Sequence, residues 1–559
     1  MKNILNIKSI ALLVVLLVGC NEDEWLKEIP LDIYSPENMY VTPQQFDAAV
    51  ASIYAAIPNV TYVTNPSTVI VFGGLADNLY HFYSPAITRS NFDTEIIPES
   101  TWVKYWWTNY YKIIFNANVV LDRIDLENVN FPTESQRSVL KAEAYFFRAF
   151  AYKNLAILFG GVPLVIREVS ESKRDFTRAS RQAVLDQVIN DLEYAVVNLP
   201  DVSEITEDGR LTKAAANHLL TEVYLMVEDW DNAISAASAI IDNPAYALMT
   251  ERFGAWSDRP GDVFRDLFIR NNQNRGSAGG PNTEAIWVGQ FEYNTPGGGD
   301  SPQGTRFFGV QYWALSGKDG RNLFFNHSSQ NGGRGFGFMA NNDYLNNTIW
   351  EDDWNDMRNS EYNIRRDMVA NNPASAYFGQ KIVENDAIGN PGPYNEFWRP
   401  YWAKLVPFDN FPAETIQNPA TGQTNNSATS SFTDSYIMRL SETYLLRAEA
   451  YVGKGNPGLA AADINVVRAR ANALAVSPED VDLDYILDER ARELTYEELR
   501  LFTLMRVNKL AERVVIYNPY YNGKYAQFTF LDRYNLWPIP QSEIERNTEA
   551  VLEQNPGYN

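Results

Sequence analysis

Two kinds of patterning alternate along the chain. From about Thr42 to Asp242 apolar positions recur at three- and four-residue spacing, which predicts amphipathic helices. From about Phe253 to Asp434 that spacing largely disappears, and the stretch holds 21 of the 32 glycines and seven of the 13 tryptophans. Helical spacing returns from Ser435 to about Ala511, and the C-terminus ends in turns. Long loops in a compact protein are usually functional, so the middle stretch is where a ligand surface is expected.

The helical zones carry a recurring unit. Phe147-Arg148-Ala149-Phe150-Ala151-Tyr152 and Leu446-Arg447-Ala448-Glu449-Ala450-Tyr451 share an apolar residue, then Arg-Ala, then Ala-Tyr. Leu219 through Val223-Tyr224 repeats the spacing from apolar residue to tyrosine, and Ala233 and Ala460 each lie nine residues past a tyrosine. Leu211 to Pro244 spans 34 residues, the tetratricopeptide period. Small residues such as Ala233 and Ala237 let one helix approach a bulky partner such as Tyr224, and each hairpin then buries its remaining apolar face on the next. The expected fold is all-α: about four tetratricopeptide-like helix pairs in a superhelical scaffold, split by a long, irregular, loop-rich domain.

The N-terminus sets the expected compartment. Lys2 and Lys8 precede an uncharged run, Ile10 to Val18, too short for a permanent membrane span, so the segment reads as an export signal. It closes on Leu17-Val18-Gly19-Cys20, which resembles a bacterial lipobox, and Cys20 is the only cysteine. A lone thiol in an exported chain makes no internal disulfide, so lipidation at Cys20 is expected. Asn21-Glu22-Asp23-Glu24 then resembles a surface-export signal, with a solvated tether as the plain alternative. The formal charge of −23 disfavours nucleic acid and anionic lipid surfaces as partners.

Several ordered blocks resemble the SusD-like (RagB/SusD) family over nearly the whole chain. They are Lys141 to Tyr152 running on to Phe159-Gly160-Gly161-Val162-Pro163-Leu164; Arg439 to Tyr451; Ile464 to Arg470; Asp488 to Leu494; Trp537 to Ile544; and Gln554 to Tyr558. One block departs. Where the family usually has Glu-Gly-x-Arg, an aromatic and then Asp-Leu, Glu498 replaces the glycine and Thr503 the aspartate. The expected segments are 1–19 (signal), 20–41 (lipidated tether), 42–252 (N-terminal SusD-like helical region), 253–434 (irregular insertion) and 435–559 (C-terminal SusD-like helical region). The resemblance implies a non-catalytic, cell-surface glycan-binding lipoprotein of a Bacteroidetes-type outer membrane, acting with a SusC-like TonB-dependent barrel.

A glycan site needs flat aromatics for the apolar face of a sugar, with polar groups for its hydroxyls; tyrosine and tryptophan supply both a large apolar body and a polar handle. Two clusters are candidates. One joins Asp77 to Trp102, with Trp107 and Tyr111 assigned instead to a core face, and with helix capping as the plain alternative for Asp77. The other joins Trp287 to Tyr312 and Trp313, flanked by Gly297-Gly298-Gly299; on a strand at most one of Tyr312 and Trp313 would face a ligand. Trp350, Trp354, Trp398 and Trp402 are left open.

Enzyme readings are weaker. His81, His218 and His327 show no metal-site spacing, His218 is expected to be packed in a repeat, and there is no Gly-x-Ser-x-Gly elbow. Gly333-Arg334-Gly335-Phe336-Gly337 only loosely mimics a nucleotide loop, with no apolar strand before it. No cofactor is expected. Asp352-Asp353-Trp354-Asn355-Asp356 reads as a solvated turn, although a structural calcium there stays open. The rival functions are a RagB-like peptide-binding lid, a surface glycoside hydrolase, and a scaffold that binds only protein.

Overall fold

The computed structural model describes residues 40–61, 74–81, 91–276, 282–295, 298, 302–389 and 398–558. Cys20, the export segment, Gly297 and Gly299 lie outside the described residues.

Helices dominate, as the spacing predicts. The scaffold comprises α1 (Pro43–Ala56), α2 (Thr101–Arg123), α3 (Glu134–Phe159), α4 (Arg181–Asn198), α5 (Lys213–Met226), α6 (Trp230–Ile241), α7 (Leu440–Gly453), α8 (Pro457–Arg470), α9 (Leu483–Leu494), α10 (Arg500–Arg506) and α11 (Leu510–Tyr517). Several starts are written locally. The side chains of Thr42, Ser100, Thr133, Ser180, Thr212 and Asp482 accept from the first free backbone N–H groups of their helices.

Neighbours stack in series: α2 on α3, α3 on α4, α4 on α5, α5 on α6, then α6 on α7 and α7 on α8. The step from α6 to α7 skips about two hundred residues of sequence, so the superhelix runs on unbroken while the middle stretch bulges from its side. The base of that bulge is clipped by a two-stranded antiparallel ladder, β2 (Ala285–Gly289) on β4 (Ser435–Arg439). A second ladder, β1 (Leu79–His81) on β3 (Met339–Asn341), ties the insertion to the N-terminal region.

The repeated Arg-Ala has a repeated task. Arg148 on α3 makes a two-pronged pair with Asp191 on α4, at 2.8 and 2.7 Å. Arg447 on α7 makes the same pair with Asp463 on α8, at 2.8 and 2.7 Å. In each case the guanidinium fork bolts one helix of a hairpin to the next, which planar bidentate geometry suits. Ala233 and Ala237 are fully buried and Tyr224 nearly so, as the tetratricopeptide spacing requires.

The departing block also has a physical account. Thr503 donates its hydroxyl to Glu498 Oε2 at 3.0 Å, and the same carboxylate accepts from Arg490 at 2.8 Å and, through Oε1, from Arg500 at 3.0 Å. The carboxylate missing at 503 is thus supplied from 498, five residues earlier.

A buried ionic core locks insertion to scaffold. Glu284, Arg358 and Lys404 come from the insertion, Arg439 from β4, Arg470 from α8, and Glu489 and Glu493 from α9; all are almost wholly buried. Arg439 pairs with Glu284, Glu493 and Glu497. Arg358 reaches Asp356, Glu489 and Glu493 at 2.6, 2.7 and 3.0 Å. Burial alone would raise the Glu493 carboxyl, but Arg470, Arg439 and Arg358 outweigh it and hold the group well below the usual carboxylate range. The Asp352–Asp356 segment is therefore not simply a solvated turn: Asp352 is exposed, while Asp356 is buried against Arg358.

Candidate binding ledge

Three of the candidate ligand residues are buried and are corrected: Asp77, Trp287 and Tyr312. Asp77 is fully buried, where it receives Arg500 at 2.8 and 2.7 Å and Arg513 at 2.9 Å. Burial pushes its carboxyl up, but the two guanidiniums prevail and bring it down to about 2. It is neither a sugar contact nor a helix cap but a tie between the N-terminal region and α10 and α11. Trp287 is 2% exposed, edge-on to Phe146 and Phe150, and its indole N–H donates to the Gly209 carbonyl at 3.1 Å. Neither face is open to a ligand. Tyr312 is 1% exposed; its hydroxyl accepts from Ser328 N–H at 2.7 Å and lies 2.9 Å from the Gly333 carbonyl. Tyr312 and Trp313 sit in a 3-10 turn rather than on a strand, yet the turn still turns one ring inward and leaves the other half exposed.

Trp102 and Trp313 keep an accessible surface, but they are not brought together. Trp102 stands in the first turn of α2 and packs against the helical core, whereas Trp313 packs against the core of the insertion. Trp107 is a core residue at 5% exposure, edge-on to Phe159. Of the tryptophans left open, Trp350 and Trp402 are buried, Trp398 is half buried and Trp354 is 54% exposed. His218 is packed in its repeat, against Thr443 at 2.8 Å.

Trp313 has neighbours that the sequence reading missed. In Gly333-Arg334-Gly335-Phe336-Gly337-Phe338 every glycine is buried, and Arg334, Phe336 and Phe338 are all half exposed. The glycines permit this because the backbone behind them is crowded. A Cβ on Gly335 would stand 2.3 Å from the Gly309 carbonyl carbon, and one on Gly333, already at φ +72°, would stand 2.6 Å from the Ala428 carbonyl oxygen. Backbone bonds from Phe336 N to Arg306 O (3.0 Å) and from Arg334 N to Ala428 O (2.8 Å) hold the segment down. The nucleotide-loop look of the motif is thus a packing device.

The result is an aromatic ledge. The Phe336 and Phe338 rings lie parallel, 6° apart in plane, with centroids 5.9 Å apart. Trp313 stands edge-on to Phe336 at 6.2 Å, and its indole N–H reaches the Gly335 carbonyl at 3.3 Å. Arg334 lies over Phe336 at 4.8 Å; Arg306, exposed, lies 5.9 and 6.0 Å from Phe336 and Phe338 and donates to Gln303 at 3.1 Å. Behind Trp313, His327 contacts the indole at 5.9 Å and meets Thr424 Oγ1 at 2.8 Å. Burial, aided by the Arg334 charge, pushes the His327 imidazole down to about 4, so it is neutral at physiological pH. Rings and polar donors on one rigid surface are what a sugar's apolar face and hydroxyl rim require.

A surface groove of about 360 Å³ runs beside Trp107, Tyr111 and Phe176, with Lys173 and Arg546 at its edge. Among the described residues no group of three or more His, Cys, Asp or Glu is placed to hold a metal ion, and no helix is long and apolar enough to cross a membrane.

Residues 283–558 match the sequence model of the SusD family, and residues 31–225 match that of a family described as starch-binding and associating with the outer membrane. SusD-like protein P25 of Formosa agariphila is 24% identical over 597 aligned positions, covering 99% of this chain and 100% of that protein. Among solved structures, a laminarin-binding SusD-like protein superposes with a TM-score of 0.67 at 23% identity, over 92% of this chain and 99% of that one. Surface glycan-binding protein A of Bacteroides thetaiotaomicron, in complex with laminarihexaose, gives 0.67 at 19% identity, over 92% and 99%.

Proposed function

Because the chain belongs to the SusD-like family, we propose that it is a non-catalytic glycan-binding protein of the outer membrane and that the Trp313–Phe336–Phe338 ledge is its sugar platform. The observation that carries this reading is a row of three half-buried rings, Trp313 on Phe336 and Phe336 on Phe338, fixed from behind by buried glycines and flanked by hydrogen-bond donors. Aromatic faces supply most of the contact energy for an apolar sugar face, and Arg306, Arg334 and Gln303 supply hydroxyl partners. Glycosidic cleavage needs two carboxyl groups flanking the scissile bond. The side chains in contact across the ledge are instead guanidinium, amide, imidazole and aryl groups, which suits capture without cleavage.

In this reading lipid on Cys20 holds the protein to the outer membrane, facing outward, and the captured oligosaccharide passes to a SusC-like TonB-dependent barrel. The related proteins whose names specify starch or laminarin support the ligand class. The direct test is isothermal titration of the purified protein against a panel of oligosaccharides and peptides, with product analysis of the bound polymer. Saturable binding to a glycan without chain shortening is expected. Binding to peptides alone would replace the proposal with a peptide-binding lid, and release of shorter sugars would make the protein a hydrolase.

A further inference from the structure

The charge at the ledge is out of keeping with the rest of the molecule. Acidic side chains outnumber Lys and Arg by 70 to 47. Many other guanidiniums are consumed by protein groups: Arg148 by Asp191, Arg447 by Asp463, Arg500 by Asp77, and Arg275 by three backbone carbonyls; Arg365, over Phe408, is a single unpaired guanidinium elsewhere. Arg306 and Arg334 are not so consumed. Among the described residues neither has a carboxylate within ion-pair distance, although both lie over the same Phe336 ring. Among the described residues Arg306 uses one of its five donors, on Gln303, and the Arg334 side chain donates to no acceptor.

Two like charges held beside one ring repel each other, and among the described residues no carboxylate pairs with either. His327 behind Trp313 is kept neutral by burial and by the Arg334 charge, so it adds no third positive charge. The backbone that carries both side chains is fixed: Arg334 N bonds to Ala428 O, and Arg306 bonds to Phe336 N and Thr429 O. A guanidinium fork matches carboxylate and sulfate oxygens in geometry as well as charge.

Resting on the reading of the ledge as a sugar platform, we propose that its ligand is an anionic glycan. A carboxylate or sulfate group on one sugar unit is held by Arg306 and Arg334 while the sugar ring lies on Phe336 or Trp313. The overall charge of −23 repels such a polymer at long range, so the attraction is local and specific rather than a matter of general electrostatic adhesion.

Matched ligands test this. Oligogalacturonate is titrated beside its carboxyl-reduced, neutral counterpart, and a sulfated carrageenan oligosaccharide beside its desulfated form. The same titrations are repeated with Arg334→Gln, Arg306→Gln and Arg334→Lys, with unchanged thermal unfolding as the control for folding. The expected result is that at least one acidic oligosaccharide binds, at least tenfold more tightly than its neutral partner. Each Gln variant should lose most of that difference, and the Lys variant should keep part of it; which acidic ligand binds separates carboxylate from sulfate. Neutral and acidic partners binding equally, with the Gln variants unaffected, would overturn the anionic class and leave the glycan reading standing. Binding to no sugar in either series would remove both.

Discussion

Arg439→Met is expected to cost at least about 3–5 kcal/mol of folding stability, the range for leaving buried charges without their partner. Arg439 is 1% exposed and faces three carboxylates, Glu284, Glu493 and Glu497, while also donating to the Glu493 carbonyl at 2.7 Å. Methionine fills much of the volume and leaves the three anions sharing only Arg470, Arg358 and Lys404. The loss is concentrated at one joint, because Glu284 belongs to the insertion and Glu493 to α9. Chemical denaturation followed by tryptophan fluorescence should show a lowered midpoint, with the insertion opening before the helix stack. Arg306→Gln, an exposed side chain with one hydrogen bond, should leave the midpoint where it is. Equal stability of Arg439→Met and the parent protein would mean that the ionic core does not join the two parts.

The second large effect concerns binding. Trp313→Ala and Phe336→Ala should each weaken glycan affinity by about 30-fold, the roughly 2 kcal/mol expected of an aromatic anchor at the centre of a contact. Folding should suffer less than from a core truncation, because both rings are only half buried. Trp287→Ala and Tyr312→Ala should do the reverse. These side chains are 2% and 1% exposed, so their loss costs stability before it touches a ligand. Isothermal titration and thermal unfolding on the four variants separate the two kinds of residue.

That separation marks the boundary of what the sequence made legible. Helical periodicity, the Arg-Ala repeats and the tetratricopeptide spacing are local signals, and the structure uses them as local signals: Arg148 and Arg447 perform one task in two hairpins. The burial of the aromatics is not local. Trp287 is sealed by Gly209, 78 residues away, and Asp77 by Arg500, 423 residues away; nothing near either residue announces those partners. The ledge was missed for a different reason. Alternation of glycine with Arg334, Phe336 and Phe338 was visible, but glycine runs suggest phosphate cradles, and only the crowding against Gly309 and Ala428 reveals that here they seat a row of side chains. Period-two alternation of the large residues was the usable clue.

A crystal structure of the protein with a bound oligosaccharide decides where sugar is held. Density for pyranose rings in van der Waals contact with Trp313, Phe336 or Phe338 is the predicted outcome. Sugar seated instead in the groove beside Trp107 and Tyr111, with the three rings bare, would contradict it.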